Sequence, residues 1–413
     1  MRVVFSYVNK FPTRFLLSEN LRELEACIKF GKTPEPNCDN IKKLVVVIPG
    51  NPGVADFYGT FINFLSASLP SHYGVLVIGH AGHATPNSLL ETFLSFWRPF
   101  STDDQIQHKI QFLERYAPVG TDVILVGHSI GCFISLEIMK HFEMKNNENS
   151  KVEDKLGTFT KDKHKSEAKV ELDGMKPALG HSADTSPVVH SYLLFPTIER
   201  MAETSNGRLV TKLSFLRWLV PLFAFWLVFI PRFFKEAVLR WYIGRRSNTE
   251  ESVQASYQLL SPATANQFTY MGCDEMRRVK NCDRDLIYRH RKKIFLYYGS
   301  CDRWCPKQFY YDMKLKVVGV QAFLCGNQWR HAFVLGHSEV VAQMVSDLIL
   351  KKAEGQVEED LPKTPLLQGL EDRALKRSFS GSSYDSGFVS PPPEDASHTL
   401  KERAGNDKEV LQT

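Results

Sequence analysis

One short stretch, residues 123–131 (VILVGHSIG), constrains the fold of this chain more than any other. Its aliphatic first half suits a buried parallel strand, and the Gly-x-Ser-x-Gly motif that follows places Ser129 where the backbone must turn sharply. Residues 132–139 then show a helical pattern. We therefore predict a strand, a tight turn and a helix, with the Ser129 hydroxyl exposed at the turn. An ordinary strand-to-helix turn, with serine present only for its small size, is the alternative.

Apolar segments typical of strands alternate with helical patterns along the chain. The predicted strands lie at residues 44–48, 74–78, 122–126, 188–195, 294–298 and 320–324. Among the helices between and after them, one is predicted to begin at Thr102, with an acidic first turn, and a closing helix is predicted over 332–350. This alternation is that of a mostly parallel, doubly wound sheet, so we predict an α/β fold.

Composition limits the function classes that are open to the chain. Of 413 residues, 43% are hydrophobic, which is enough for a large core, and the net charge of +5 is too small to indicate a nucleic-acid partner. The eight cysteines show neither the paired spacing of a zinc site nor the density of a disulfide scaffold, so we expect no metal and no cofactor. The N-terminus lacks the apolar core of a signal peptide, which favours a reducing, cytosol-facing location.

Composition also divides the chain into segments. Two of them are rich in charged and small polar residues, with few apolar residues to form a core, and are expected to be disordered. The predicted division is 1–143 for the first half of the core, 144–187 for a disordered polar insertion, 188–270 for a core strand with a cap and an apolar membrane-association segment, 271–352 for the second half of the core, and 353–413 for a disordered regulatory tail.

A serine hydroxyl is a weak nucleophile at neutral pH and needs an imidazole base that a carboxylate orients. Asp302 follows the predicted strand 294–298, at the edge of the sheet where open α/β folds hold their sites. A helix N-cap is its alternative role. His331 follows the last predicted strand and is the predicted base. His337 is its rival, but inside the predicted closing helix it would lie below the rim where Ser129 is exposed.

A site for acyl transfer also needs two N–H donors aimed at the oxyanion. The amide of Ile130, directly after the predicted nucleophile, is one candidate. The other is the amide of Asn51, in the glycine-rich loop 49–53 (PGNPG), because Pro52 has no N–H. A tight turn without a catalytic role is the alternative for this loop. His128, next to the nucleophile, is expected to pack or to line the substrate site.

Several motifs, taken together, resemble those of one known family. They lie at 47–53 (VIPGNPG), 79–83 (GHAGH), 103–109 (DDQIQHK), 127–131 (GHSIG), 192–201 (YLLFPTIERM), 297–306 (YYGSCDRWCP) and 331–333 (HAF). The family is that of the lipid droplet-associated hydrolases, in the α/β-hydrolase superfamily, and the strings FPTIERM and PGNPG are far more specific for it than GHSIG. The polar insertion and the tail depart from this pattern, because the family usually passes directly from the helix after the serine to the next strand.

The resemblance implies an α/β-hydrolase fold, and the apolar run described below is expected to be inserted in it as a cap or membrane segment. The resemblance also implies a serine hydrolase at the lipid droplet and the cytosolic face of the endoplasmic reticulum, with a neutral lipid or sterol ester as substrate. In the family pattern Ser129 aligns with the nucleophile, Asp302 with the acid and His331 with the base. Two alternatives stay open: a droplet-surface scaffold of hydrolase fold with little turnover, and an acyltransferase that uses the same triad.

A charge-free apolar run, residues 219–230, lies between the two halves of the core. It is too short to cross a bilayer, which takes about 20 residues as a helix. Basic residues flank it on both sides, a pattern that suits insertion into one cytosolic leaflet or into the phospholipid monolayer of a droplet. A buried cap helix over the active site is the alternative. The residues predicted to enter the lipid are Leu222, Phe223, Phe225, Trp226 and Phe229.

The tail contains a short motif, residues 385–390 (DSGFVS), that resembles the two-serine phosphodegron read by an F-box ubiquitin ligase receptor. Phosphates on Ser386 and Ser390 would add about 1.5 to 2 negative charges each, which an arginine-rich pocket can recognise. A ubiquitin-ligase receptor is therefore a predicted partner, with a plain solvated tail as the alternative.

Overall fold

The computed structural model describes residues 1–83, 97–162, 187–243, 250–327 and 329–354. Within these ranges, eight strands form a single sheet. The strands are β1 (Arg2–Val8), β2 (Phe11–Leu17), β3 (Lys43–Ile48), β4 (Tyr73–Ile78), β5 (Asp122–His128), β6 (Val188–Leu194), β7 (Ile294–Tyr298) and β8 (Gln321–Leu324). Each predicted strand is present, with ends that differ from the prediction by at most two residues.

The strand order in the sheet is β1-β2-β4-β3-β5-β6-β7-β8. From β4 to β8 every neighbouring pair is parallel, whereas β2 is antiparallel to both β1 and β4. The chain therefore has the predicted α/β-hydrolase fold, with a mostly parallel sheet. The β1–β2 hairpin is absent from the predicted strands. It turns at Asn9, whose φ of 52° suits the tight turn of a hairpin.

Helices connect the strands and cover the sheet. They are α1 (Arg22–Phe30), α2 (Gly59–Ser68), α3 (Thr102–Tyr116), α4 (Ile130–Asp162), α5 (Ser205–Leu213), α6 (Leu219–Leu227), α7 (Arg232–Ile243), α8 (Glu250–Gln258), α9 (Pro262–Arg278), α10 (Arg284–Arg289), α11 (Lys307–Lys316) and α12 (Ser338–Ala353). Both faces of β3 are buried, since every residue from Leu44 to Ile48 is at most 1% exposed. Helix α3 begins as predicted, after a capping box between Ser101 and Asp104.

The disordered insertion predicted at 144–187 is wrong in its first part. Helix α4 continues to Asp162, while residues 163–186 lie outside the described residues. Extending a helix that is already nucleated needs little free energy per residue, and the segment 144–162 contains several Lys and Glu, which are good helix formers. A low apolar content therefore argued against a core in this segment but not against a helix.

The closing helix begins later than predicted. The prediction was 332–350, but α12 spans Ser338–Ala353, and a 3₁₀ turn at Phe333–Leu335 precedes it. Gly336 separates the two because its φ of −174° is extended and cannot continue a helix. His337 therefore stands at the start of the helix and not inside it.

The connection from β6 to β7 holds helices α5 to α10 and contains the charge-free apolar run. In the described ranges, no single helix is long and apolar enough to cross a membrane. One bent pair, Ser205–Leu216 with Leu219–Leu227, meets the length and composition criterion across a bend of 74°. The tail after residue 354, with the predicted phosphosites Ser386 and Ser390, lies outside the described residues.

Candidate active site

The turn between β5 and α4 carries Ser129. Strand β5 ends at His128 and α4 begins at Ile130, so Ser129 alone makes the turn. Its φ is 55°, in the left-handed region, where a non-glycine residue costs about 1–3 kcal/mol. The Ser129 N–H donates to the Leu194 carbonyl at 3.0 Å, so the neighbouring strand β6 holds this conformation. This is the strained turn that the Gly-x-Ser-x-Gly motif predicts.

Two glycines let the surrounding backbone approach Ser129. A Cβ on Gly131, in the first turn of α4, would lie 2.1 Å from the carbonyl oxygen of Ile48, which is too close for any side chain. A Cβ on Gly50, in the loop after β3, would lie 2.8 Å from the Ser129 Cβ. The start of α4 is therefore packed against the end of β3, and the loop 49–53 against Ser129, with no room for a larger residue at either glycine.

Three side chains form a continuous hydrogen-bonded chain at the C-terminal edge of the sheet. The His331 Nε2 lies 2.8 Å from the Ser129 Oγ, and the His331 Nδ1 lies 2.6 Å from the Asp302 Oδ2. The Asp302 side chain is fully buried, whereas that of His331 is 17% exposed. The structure therefore brings together the three residues predicted as nucleophile, acid and base.

The second carboxylate oxygen of Asp302 holds its own loop. Oδ1 accepts the backbone N–H of Trp304 at 2.7 Å and that of Cys305 at 3.1 Å. Oδ2 of Asp302 thus stands in the position predicted for the acid, while Oδ1 has the capping role that was the alternative. Because the loop holds Oδ1, Oδ2 has a defined direction towards His331.

His337, the rival base, takes no part in this chain. It is the N-cap residue of α12, and its ring stacks on Trp329 at a centroid distance of 5.8 Å. The position inside the closing helix that was predicted for it is wrong, because that helix begins after it. His331 lies in the loop between β8 and the 3₁₀ turn, with its ring centroid 6.4 Å from that of Trp304.

His128 forms a second hydrogen-bonded chain behind the first. The Gly50 N–H donates to the Tyr58 hydroxyl at 2.8 Å, and that hydroxyl lies 2.6 Å from the His128 Nδ1. On the other side of the ring, Nε2 lies 2.8 Å from the His331 carbonyl oxygen. A carbonyl can only accept, so Nε2 carries the proton, Nδ1 accepts and Tyr58 donates. Burial lowers the pKa of His128 to about 3, which keeps the ring neutral.

The two predicted oxyanion donors lie next to Ser129. Ile130 is the first residue of α4, and N–H groups in a first turn have no acceptor within their own helix. Asn51 lines the same cavity as Ser129. Its peptide bond to Pro52 is cis, and its side-chain amide donates to the Phe268 carbonyl of α9 at 3.0 Å. The role of the two backbone amides as oxyanion donors stays a prediction.

A cavity of about 590 Å³ opens at Ser129. Asn51 and His331 also line it, but most of the lining is apolar. The apolar lining includes Met201, Leu209, Leu213, Leu219, Phe268 and Trp304. Several of these residues belong to α5, α6 and α9, so the helices inserted between β6 and β7 form much of the wall. A wall of this composition suits a ligand that is largely hydrocarbon.

The inserted helices also expose apolar side chains to solvent. We call this region the aromatic surface and define it by residues that are each more than half exposed, namely Leu222, Phe223, Phe225, Trp226 and Phe229. The alternative of a buried cap helix does not hold for these side chains, although Leu219 and Val220 at the start of α6 line the cavity. Exposed apolar patches of this kind mark sites of contact with proteins, ligands or membranes.

Tyr58 and Glu275 are site residues that the sequence did not reveal. Tyr58 lies in a 3₁₀ turn, in a stretch that shows no motif, and its role depends on the fold bringing it to His128. Glu275 is 1% exposed and lines the cavity, but it stands beside Asp274 and Arg277, a pattern typical of a solvated helix face. The expectation for His128 was incomplete as well, because its ring packs on Phe333 but also joins two loops through hydrogen bonds.

The chain is similar to one family of known proteins over most of its length. Residues 41–334 match a family model described as lipid-droplet associated hydrolase. A lipid droplet-associated hydrolase from Gallus gallus is 32% identical over 311 residues, 74% of this chain and 83% of the relative. The protein of the same name from Rattus norvegicus is 31% identical over 319 residues, 75% of this chain and 85% of the relative. The protein of the same name from Drosophila melanogaster is 30% identical over 314 residues, which are 75% of this chain and 89% of the relative.

Solved structures that resemble the chain are distant in sequence. A putative lipase from Acinetobacter baumannii is 13% identical, with a TM-score of 0.49, over 86% of this chain and 93% of its own. A thermophilic esterase from Thermogutta terrifontis is 10% identical, with a TM-score of 0.47, over 85% of this chain and 99% of its own.

Proposed function

This chain belongs to the lipid droplet-associated hydrolase family, and on that premise we propose that it is a serine hydrolase of lipid esters. The observation that carries the proposal is the hydrogen-bonded chain from Ser129 through His331 to Asp302. Its two distances lie within the range of about 2.6–3.2 Å over which a base can take a proton from the nucleophile that it activates.

In the proposed reaction, the His331 Nε2 takes the proton of the Ser129 hydroxyl while the serine oxygen attacks the ester carbonyl. Asp302 accepts a hydrogen bond from the His331 Nδ1–H, and in this way it orients the ring and stabilises the imidazolium. The imidazolium then gives its proton to the leaving alcohol, and the acyl group stays on Ser129. Water, deprotonated by the same imidazole, attacks the acyl-enzyme, so that the carboxylic acid leaves and the serine recovers its proton.

The tetrahedral intermediate of each step places a negative charge on the former carbonyl oxygen. In the proposal, the amides of Ile130 and Asn51 donate to this oxygen. Preorganised donors of this kind act only where charge develops, and removing one lowers kcat by about 10²–10³ in known enzymes.

We also propose that the aromatic surface inserts into the phospholipid monolayer of a lipid droplet, or into the cytosolic leaflet of the endoplasmic reticulum. The names of the relatives support the droplet. An apolar helix between basic flanks enters a leaflet to a depth of about 5–10 Å without crossing it. Because α6 contributes both to the aromatic surface and to the cavity wall, a neutral lipid or sterol ester could pass from the lipid to Ser129 along apolar side chains.

Labelling with a fluorophosphonate tests the nucleophile directly. Wild-type protein should be captured at Ser129, and Ser129→Ala should lose capture while its thermal unfolding stays unchanged. His337→Ala is the matched control, because this imidazole stacks on Trp329 and lies outside the hydrogen-bonded chain, and it should keep capture. Lack of capture in the wild type would favour the droplet-surface scaffold over the hydrolase. Product analysis with a lipid alcohol present separates hydrolysis from acyl transfer.

A further inference from the structure

Glu275 lines the cavity but has no part in the proposed mechanism. It lies on α9, is 1% exposed, and follows Phe268 and Gly272 on the same face of that helix. This face contacts Asn51, because the Asn51 side chain donates to the Phe268 carbonyl and its Nδ2 lies 3.3 Å from where a Cβ on Gly272 would be. The side-chain amide of Asn51 also hydrogen-bonds to the Glu275 carboxyl, so the carboxyl lies next to the loop that borders Ser129.

A charged carboxylate at this position would be costly. Burial raises the pKa of Glu275 to about 8. The hydrogen bond from the Asn51 side chain lowers this pKa, and the negative charge of the neighbouring Asp274 raises it further. The described groups that act on Glu275 include no cation, and Asp274 itself pairs with Arg277. At pH 7 the protonated form of the group therefore predominates, and this carboxylic acid can donate one hydrogen bond and accept others.

Two oxygen atoms at this point are buried without a hydrogen-bond partner among the described residues. They are the Oε1 of Glu275 and the Oδ1 of Asn51. A buried polar atom that is left unpaired destabilises the folded state. A hydroxyl group both donates and accepts, so it is the simplest ligand group that could pair with a neutral carboxyl and with an amide oxygen.

The geometry limits where on a ligand that hydroxyl can be. Gly50, which precedes Asn51, packs against Ser129, and Glu275 lies beside Asn51 itself. The nucleophile and the carboxyl thus border the same short loop. Both groups also line one cavity, so a ligand with an ester at Ser129 and a hydroxyl close to that ester can reach both. The apolar lining leaves hydrocarbon as the remainder of the ligand.

We propose that Glu275 binds a free hydroxyl of the lipid alcohol, next to the ester that Ser129 attacks. This inference rests on the proposed function and narrows its substrate class to partly esterified polyols, such as diacylglycerols. In a 1,2-diacylglycerol the hydroxyl and the nearest ester are on adjacent carbon atoms. Triacylglycerols and sterol esters present no hydroxyl to the carboxyl.

The test compares a 1,2-diacylglycerol with the diester of propane-1,2-diol that carries the same acyl chains, in the same mixed micelles. The second probe lacks only the hydroxyl. Wild-type protein should prefer the diacylglycerol by at least about tenfold in kcat/KM, since a site built to bond a hydroxyl rejects the analogue without it. Glu275→Gln keeps a donor and an acceptor and should keep this preference, whereas Glu275→Leu should bring the ratio close to 1.

Glu339→Leu, at an exposed position of α12, is the matched control and should keep the wild-type ratio. A purely structural role of Glu275 would change turnover of both probes alike and leave their ratio unchanged. A wild-type ratio near 1, or a preference that Glu275→Leu retains, overturns the inference. Displacement of a fluorescent diacylglycerol from Ser129→Ala by each probe makes the same comparison without turnover. A failure of hydrolysis is thereby distinguished from a failure of hydroxyl recognition.

Discussion

The sheet and the helices inserted between β6 and β7 are both rich in apolar residues, but they differ in what covers those residues. In β3 the side chains from Leu44 to Ile48 are at most 1% exposed, whereas Phe223, Trp226 and Phe229 are each more than 60% exposed. The sheet is covered by the chain's own helices. The difference teaches that the sheet that carries Ser129 is covered within the described chain, while the exposed apolar side chains of the inserted helices are the ones that we propose to contact lipid.

The cavity is where these two regions meet. Ser129 and His331 come from the edge of the sheet, and residues of α5 and α6 form much of the wall. Substitutions on the sheet side should therefore act on chemistry and stability, and substitutions on the helical side should act on contact with lipid.

The largest effect is expected at the base. His331→Ala should lower kcat/KM for a lipid ester by on the order of 10⁴-fold or more, because Ser129 then loses the group that takes its proton. His337→Ala should change it by less than about tenfold, since its ring stacks on Trp329 away from the serine. Steady-state kinetics on one ester substrate checks both variants. Equal losses in the two would contradict the assignment of His331.

The next effect concerns the platform itself. Gly131→Ala should lower the free energy of unfolding by about 3 kcal/mol or more, because its Cβ would clash with the Ile48 carbonyl oxygen. Gly120→Ala is the control. A Cβ on Gly120 would meet no atom within 4 Å, so that only the φ of 81° makes a side chain unfavourable there. Its cost should be about 1–2 kcal/mol. Urea denaturation measures both, and a similar loss in the two variants would argue against tight packing at Gly131.

A third prediction tests the aromatic surface. Replacing Phe225, Trp226 and Phe229 together by Ser should reduce binding to phospholipid-coated droplets by more than about tenfold, because each side chain contributes roughly 1.5–3 kcal/mol when it leaves water. Thermal unfolding should change little, since these residues are exposed.

The matched control for that variant replaces three exposed apolar residues outside the inserted helices. Phe30, Leu315 and Val318 are between 70% and 75% exposed, and their joint change to Ser should leave droplet binding unchanged. Flotation of the full-length protein with droplets compares the two triple variants. Equal binding of both would refute the membrane role of the aromatic surface.

The smallest effect is a change of stability with pH. Burial raises the pKa of Glu275 from its usual 4.5 to about 8 in the folded chain, so the folded state binds more protons than the unfolded state between these pH values. Its contribution to stability is complete below that range and is lost as the pH rises through it. Relative to Glu275→Gln, the Tm of the wild type should therefore fall by about 2 °C or more from about pH 5 to about pH 8. Parallel Tm curves for the two proteins would show that Glu275 is charged.

The sequence predicted the parallel strands well because each is a run of aliphatic residues that both faces of the sheet bury. The β1–β2 hairpin escaped prediction because β1 has polar and apolar residues in no regular order, with Ser6 and Tyr7 between Phe5 and Val8. Its pairing with β4 through β2 is a long-range contact that no local pattern reports.

Ser129 could be predicted because its motif is local, and so could the places of Asp302 and His331, which follow strands. The hydrogen bonds of Tyr58 and the burial of Glu275 could not be predicted. Both depend on residues far away in the sequence, such as His128 for Tyr58 and Asn51 for Glu275. The start of the closing helix was missed because the prediction ran through Gly336, a residue type that disfavours helix interiors and here separates the 3₁₀ turn from α12.

The hydrogen bonds from Gly50 through Tyr58 and His128 to the His331 carbonyl have a consequence for how the protein can move. They join the loop after β3 to the loop after β8, so neither can be displaced alone without leaving a buried donor or acceptor unpaired. A movement that widens the cavity for a bulky ligand, and that later releases its products, is therefore expected in the wall that the inserted helices form. The wall that we propose to contact lipid is also the wall that these hydrogen bonds do not hold.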